Sequence, residues 1–232
     1  LPLEPGTGDG PWVDGVGDLA SWVADAGCTA LVVSLGVDAA GDDPESPLQV
    51  TADGFRTAGR ALGGLDLLVA NAATGINRPA LDLLEKHWQH TLGVNAASLL
   101  YLAQRLAPLA AARGGGSIAA LSSLGSQRVL ANYTSVGVSK AALEALVRYL
   151  AVELAPQGIR VNAVSGGVVD TDALRHFENG AEMLQAGLER TPLGRIAEPQ
   201  DMAAAVAFLT GPESRVITGQ TLIVDGGYSL PG

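Results

Sequence analysis

Short apolar runs alternate with stretches of helical periodicity, and this alternation constrains the fold more than any other feature of the chain. In the second half, the Gly114-Gly-Gly-Ser turn leads into an apolar run at 118–121, Ile-Ala-Ala-Leu. A helix is predicted next, from position 137 or 138 to 154, stopped by Pro156-Gln-Gly158, and Arg160-Val-Asn-Ala-Val then reads as another buried strand. Strand, helix and strand in this order imply crossovers between parallel strands. The expected architecture is therefore α/β: a Rossmann-like, doubly wound, mostly parallel sheet with helices on both faces.

The remaining segments fit that frame. The stretch 1–12 is rich in glycine and proline, and Pro2, Pro5 and Pro11 each remove an amide donor, so a central strand there is limited to a few residues. Leu19, Trp22, Val23 and Ala26 recur at helical spacing over 18–26, with Gly27 as a C-cap. A short buried strand is expected at 31–33, an acidic surface loop at 38–47 and a short helix at 53–62, ending at Gly63-Gly64. The run at 65–70 is the clearest strand of the first half. A long helix is predicted over 88–112, bent or divided at Pro108, and the last helix and strand fall at 199–209 and 221–225. Glu144 and Arg148 form a favourable i,i+4 pair. With no internal repeat, the 232 residues are expected to make a single domain. The less regular segment 171–195, with Gly180, Gly187 and Gly194, reads as a mobile substrate-side flap or, alternatively, a static surface insertion.

Charge narrows the partners. Fourteen basic and 24 acidic residues give a net charge of −10, unfavourable for nonspecific nucleic-acid contact or attachment to an anionic membrane. The expected partner is a small-molecule or carrier-bound acyl substrate. Cys28 is the single cysteine, which suits a reducing, cytoplasmic setting, and no signal-peptide series or 18-residue apolar run is seen.

Several motifs then occur in order. They are Asn71-Ala72-Ala73, Ser122-Ser-Leu-Gly-Ser, Asn132-Tyr-Thr-Ser-Val-Gly-Val-Ser-Lys140, Val161-Asn-Ala-Val-Ser-Gly-Gly167, Thr171-Asp-Ala-Leu and Gly219-Gln-Thr-Leu-Ile-Val-Asp-Gly-Gly227. From Gly64 to Gly227 the chain resembles the short-chain dehydrogenase/reductase family, and around Tyr133 it is similar to the type III NADPH-dependent enoyl-acyl-carrier-protein reductases. The resemblance implies reduction of a conjugated enoyl thioester or related carbonyl compound with NADP or NAD as cofactor, in a homodimer or homotetramer. It implies Tyr133 as donor to the substrate carbonyl oxygen, Lys140 as organiser of the nicotinamide ribose, and Ser123 as support for the carbonyl. Asn95 would bend its helix and hold a water linked to the lysine. Asn71, Ala72, Gly167 and Thr171 would contact the cofactor.

The residues themselves are consistent with these roles without compelling them. Tyr133 and Lys140 are seven positions apart, sharing a face if both lie on one helix but separated by about 10.5 Å along it. A cofactor ribose or another ligand could bridge their polar ends. The phenol, with a reference pKa of about 10, is protonated at neutral pH and a nearby ammonium strengthens it as a donor. The common family spacing is four, and Val136 stands at that position here. Read alone, Tyr133 and Lys140 are equally packing and helix-surface residues, the two serines are strand-end residues, and Asn95 satisfies a backbone carbonyl.

The N-terminal loop departs from the family pattern. Thr7-Gly8 is followed by six residues before Gly15-Val-Gly17, three more than expected, and Pro11 and Trp12 lie among them. Gly8, Gly15 and Gly17 are the candidates to approach a pyrophosphate. No Arg or Lys follows the strand at 31–33 to receive a 2′-phosphate, and Asp38 suits ribose hydroxyls instead. An alternative is therefore a cofactor-independent dehydratase, cyclase or isomerase on a reductase-like scaffold, and a further one a noncatalytic partner subunit. His87 and His90 lack a third metal ligand, His176 is an isolated acid/base candidate, and no metal site is expected.

Overall fold

The computed structural model describes residues 66–170 and 180–231. Gly8, Gly15, Gly17, His176 and Thr171 lie outside these residues, as do the expected helices at 18–26 and 53–62, the strand at 31–33 and the loop at 38–47. Four strands are present among the described residues: β1 (Leu67–Ala70), β2 (Gly116–Ser123), β3 (Ile159–Gly166) and β4 (Thr221–Val224). They lie side by side in chain order, all parallel, with Val69 opposite Ala119, Ala119 opposite Asn162, and Ala163 opposite Thr221.

Each crossover is helical. Between β1 and β2 run α1 (Glu85–Leu92) and α2 (Ser98–Ala111), joined by a π-helical turn at Gly93–Ala97; α3 (Thr134–Leu154) joins β2 to β3; α4 (Gly180–Arg190) and α5 (Pro199–Thr210) precede β4. Alternation along β2 assigns the faces. Ser122 Oγ donates to Glu144 on α3, whereas Ser117 Oγ donates to the Leu209 carbonyl of α5. Positions 117 and 122 have opposite parity, so α3 and α5 cover opposite faces of the sheet. The sheet interior is built from Ile118, Ala119, Ala120, Val161, Ala163 and Val164, all fully buried. Burial of each Ile or Val contributes roughly 1.5–3 kcal/mol, and the alanines between them let helices approach both faces closely.

Two expectations are corrected. Pro108 does not divide the long helix; α2 continues past it to Ala111, and Pro108 and Gln104, whose carbonyl loses its helical donor to the proline, are both exposed residues. The interruption is instead the π turn at Gly93–Ala97. Glu144 points inward, not to Arg148: it is 6% exposed and engaged with Ser122, Ser126 and Gln127, while Arg148 is exposed. In addition, α3 begins at Thr134, three residues before Gly137.

At the far end of β3, Arg160 donates to the carbonyls of Leu209, Thr210 and Gly211, placing a cation on the C-terminus of α5. Buried Asn162 holds the turn before β4 by donating to the Ile217 carbonyl and accepting from Gln220 N. The described part of segment 171–195 is anchored: Thr191 is buried, Leu193 N donates to the Gly226 carbonyl, and the Arg190 guanidinium lies 5.1 Å above the Tyr228 ring. None of the described helices is long and apolar enough to cross a membrane.

Candidate active site

The site begins where the chain enters α3. Asn132 has φ 57°, the one positive φ among described non-glycine residues, and Tyr133 is the N-cap of the helix. Asparagine tolerates this left-handed turn better than most residues. The turn lays the Tyr133 ring on Gly125, where a Cβ would come within 2.6 Å of ring Cε1; a Cβ on Gly137 would meet the Gly125 carbonyl at 2.7 Å. Gly137 is therefore needed for close packing of the helix on the turn after β2, which explains why it lies inside α3 and not at its start. The Tyr133 hydroxyl stands 3.5 Å from Ser123 Oγ, which also accepts from Gly125 N at 3.3 Å.

Lys140 lies deeper. It is 4% exposed, and its Nζ donates to the Leu121 carbonyl at 2.6 Å. Burial pushes its pKa down to about 8, since desolvation disfavours the ammonium. Leu121 and Ser123 are two residues apart on β2, about 6.6 Å along the strand. The phenol and the ammonium thus stand over neighbouring points at the end of a single strand.

Asn95 fixes the surroundings of Lys140 by another route. Its amide donates to the Thr74 carbonyl and to Ser139 Oγ, both at 2.8 Å, and its Oδ1 accepts from Thr74 N at 2.8 Å. The side chain is 1% exposed and sits in the π turn, which swings it inward. It clamps the segment after β1 to α3 one residue before Lys140. Both amide hydrogens and one acceptor site of its oxygen are used in doing so.

The other sequence candidates lie along the same edge. Asn71 and Ala72 are exposed just beyond β1, and Gly167 is half-buried just beyond β3. In a parallel sheet these positions, with Ser123, share the C-terminal edge. Gly167 has a packing reason of its own: a Cβ there would lie 2.8 Å from Asp225 Cβ. His87 Nδ1 accepts from Leu84 N at the start of α1, and among the described residues no cluster of three or more His, Cys, Asp or Glu is placed to hold a metal. Glu144 was missed by sequence reasoning, although its place one turn after Lys140 and the hydroxyls of Ser122 and Ser126 were a usable signal.

Comparison with known proteins identifies the family. The sequence profile described as Enoyl-(Acyl carrier protein) reductase matches residues 24–229. The chain belongs to this branch of the short-chain dehydrogenase/reductase family. It is 43% identical over 178 residues to the 1-cyclohexenylcarbonyl-CoA reductase of Streptomyces collinus, covering 76% of this chain and 63% of that protein. The chain thus spans just under two thirds of the first curated relatives, 63% and 64% of their lengths. Among solved structures it resembles the enoyl-(acyl-carrier-protein) reductase of Anaplasma phagocytophilum in complex with NAD, with a TM-score of 0.74, 31% identity, and coverage of 92% of this chain and 79% of that one. A 7α-hydroxysteroid dehydrogenase complexed with NADH and 7-oxo glycochenodeoxycholic acid gives the same TM-score at 31% identity, covering 93% and 80%.

Proposed function

We propose that the protein reduces a carbon–carbon double bond conjugated to a thioester or related carbonyl, using NADP or NAD in its reduced form. The observation that carries this reading is the Tyr133 hydroxyl 3.5 Å from Ser123 Oγ, at the end of the strand whose Leu121 carbonyl holds the buried Lys140 ammonium. A phenol placed at the substrate carbonyl donates to the oxygen on which negative charge gathers as the β-carbon is reduced. Ser123 orients that oxygen. Lys140 strengthens the phenol through its positive field.

Lys140 also fits a ribose. An ammonium has three N–H donors, and among the described residues one is taken by Leu121, which leaves donors for vicinal hydroxyls. With Lys140, the exposed Asn71 and Ala72 and the edge residue Gly167 are the described candidates to hold the nucleotide, joined on sequence grounds by Gly8, Gly15, Gly17 and Thr171. When bound, the nicotinamide supplies the hydride. The NAD and NADH held by the two solved relatives, and the thioester named for the Streptomyces enzyme, support this choice of cofactor and substrate class.

The test is to follow nicotinamide oxidation at 340 nm with enoyl thioesters of increasing chain length. Turnover that depends on nucleotide is expected, and turnover without it, or none at all, would overturn the reading. We further propose one family domain, which the match over 24–229 supports, a cytoplasmic setting, and a homodimer or homotetramer. Light scattering that returns a monomer at working concentration rejects the oligomer.

A further inference from the structure

Glu144 lies four residues after Lys140, one turn along the same helix, and has no part in the chemistry above. Its carboxylate is nevertheless almost wholly buried, and every described partner comes from one short segment. Ser122 Oγ and Ser126 Oγ both donate to Oε1 at 2.6 Å, and Gln127 Nε2 donates to Oε2 at 3.4 Å. Bonds of this length from hydroxyl to carboxylate are short and charge-assisted, and a buried carboxylate is tolerated only when it is paired in this way.

What those donors flank decides the role. Ser122 immediately precedes Ser123, and Ser126 closes the 3-10 turn Leu124–Ser126, which contains the Gly125 under the Tyr133 ring. One carboxylate on α3 thus grips both sides of Ser123 together with the floor beneath Tyr133. The same helix carries Tyr133 at its N-cap and Lys140 in its second turn.

We propose that Glu144 is a positioning residue: its buried carboxylate sets the approach of Ser123 to Tyr133 by fastening the turn after β2 to α3. This rests on the reading of Ser123, Tyr133 and Lys140 given above. Glu144 touches no substrate. It acts through the two serine hydroxyls, and the loss of either side of the grip lets the turn drift away from the phenol.

The experiment compares the wild type with Glu144→Ala, Glu144→Gln and Ser126→Ala by steady-state kinetics, nucleotide titration and NMR of [13C]tyrosine-labelled protein, the Tyr133 resonance being assigned from Tyr133→Phe. Because displacements of about 1 Å cost rates heavily, Glu144→Ala should lower kcat about 30-fold while moving KM and nucleotide Kd less than about threefold. Glu144→Gln, which keeps a carbonyl oxygen for both serines, should recover most of kcat. Ser126→Ala should add nothing to Glu144→Ala in the double variant, since the two changes break the same network.

The Tyr133 resonance should move in Glu144→Ala, return in Glu144→Gln, and report without any turnover. Should Glu144→Ala fail to fold, Ser126→Ala carries the test by the same resonance and by kcat. An unmoved Tyr133 resonance or a wild-type kcat in Glu144→Ala, or in Ser126→Ala where Glu144→Ala does not fold, overturns the proposal. A wild type with no nucleotide-dependent turnover, in which Glu144→Ala still shifts the resonance, overturns the function reading and supports the positional role of Glu144.

Discussion

At its N-terminal end, β2 starts from a lock of backbone against backbone. Gly115, at φ +129°, lies so close to Gly158 that a Cβ would stand 2.4 Å from the Gly158 carbonyl, and Gly116 N donates to that same carbonyl at 3.2 Å. Beside it, Arg113 meets the Asp66 carboxylate in a two-point contact, at 2.6 and 3.3 Å. Eight residues later the strand ends among Ser123, Tyr133 and Lys140, where one hydroxyl pair is stretched to 3.5 Å and a cation is buried against a single described carbonyl. One end spends its polar groups on holding the chain. The other is the end where we propose that a ligand meets them, beside the bonds made by Asn95 and Glu144.

The comparison breaks most readily at the reactive end. Removing one hydroxyl, Tyr133→Phe, should cut kcat by at least about 100-fold, with the urea midpoint nearly unchanged because the ring and its seat on Gly125 remain. A variant that keeps wild-type kcat would dismantle the distinction. At the opposite end, Gly115→Ala should destabilise by at least about 2 kcal/mol, from a left-handed φ compounded by a backbone clash. The kcat of whatever remains folded should be that of the wild type, and chemical denaturation run alongside active-site titration separates the two quantities.

A subtler test uses the proton on Lys140. Its folded pKa, about 8, lies below the ordinary lysine value of 10.5. Below pH 8 both states are charged, and the folded state bears the cost of burying the charge. Between about 8 and 10.5 the unfolded chain still holds the proton that the folded chain has released, so the free energy of unfolding gains a rising contribution with pH. Activity that needs the ammonium moves the other way, with kcat/KM falling as pH passes through about 8. Lys140→Met should erase the alkaline stability gain. Identical pH dependence of stability in the two proteins would show that the lysine is not buried as described.

Among the described elements β2, β3 and α5 were legible because each is long in its own period. The runs at 118–121 and 160–164 fall inside β2 and β3, and the helix at 199–209 matches α5 to within a residue. The pairing of Tyr133 with Lys140 was expected from ordered motifs, and the structure sets the two groups near Ser123 and the Leu121 carbonyl on β2. Gly137 misled, because glycine marks a boundary in sequence but here admits the Gly125 carbonyl to a helix already begun. Pro108 misled for a related reason: a proline weakens a helix by its missing donor and its clash with the carbonyl four residues back, and whether packing holds the helix through it is a tertiary fact. Glu144 looked like half of a surface pair because periodicity places Arg148 on its face. The packing of β2 against α3 is what sets the hydroxyls of Ser122 and Ser126 on its carboxylate and turns it inward.

The clamp made by Asn95 has a consequence for how the edge above β1 is free to change. Asn71 leaves the sheet exposed, and Thr74 is pinned three residues later through both its N–H and its carbonyl. Only the intervening stretch can flex or lengthen, like a short tongue with a nailed heel. Added residues there would extend its reach over a ligand while leaving the footing of the lysine helix where it was.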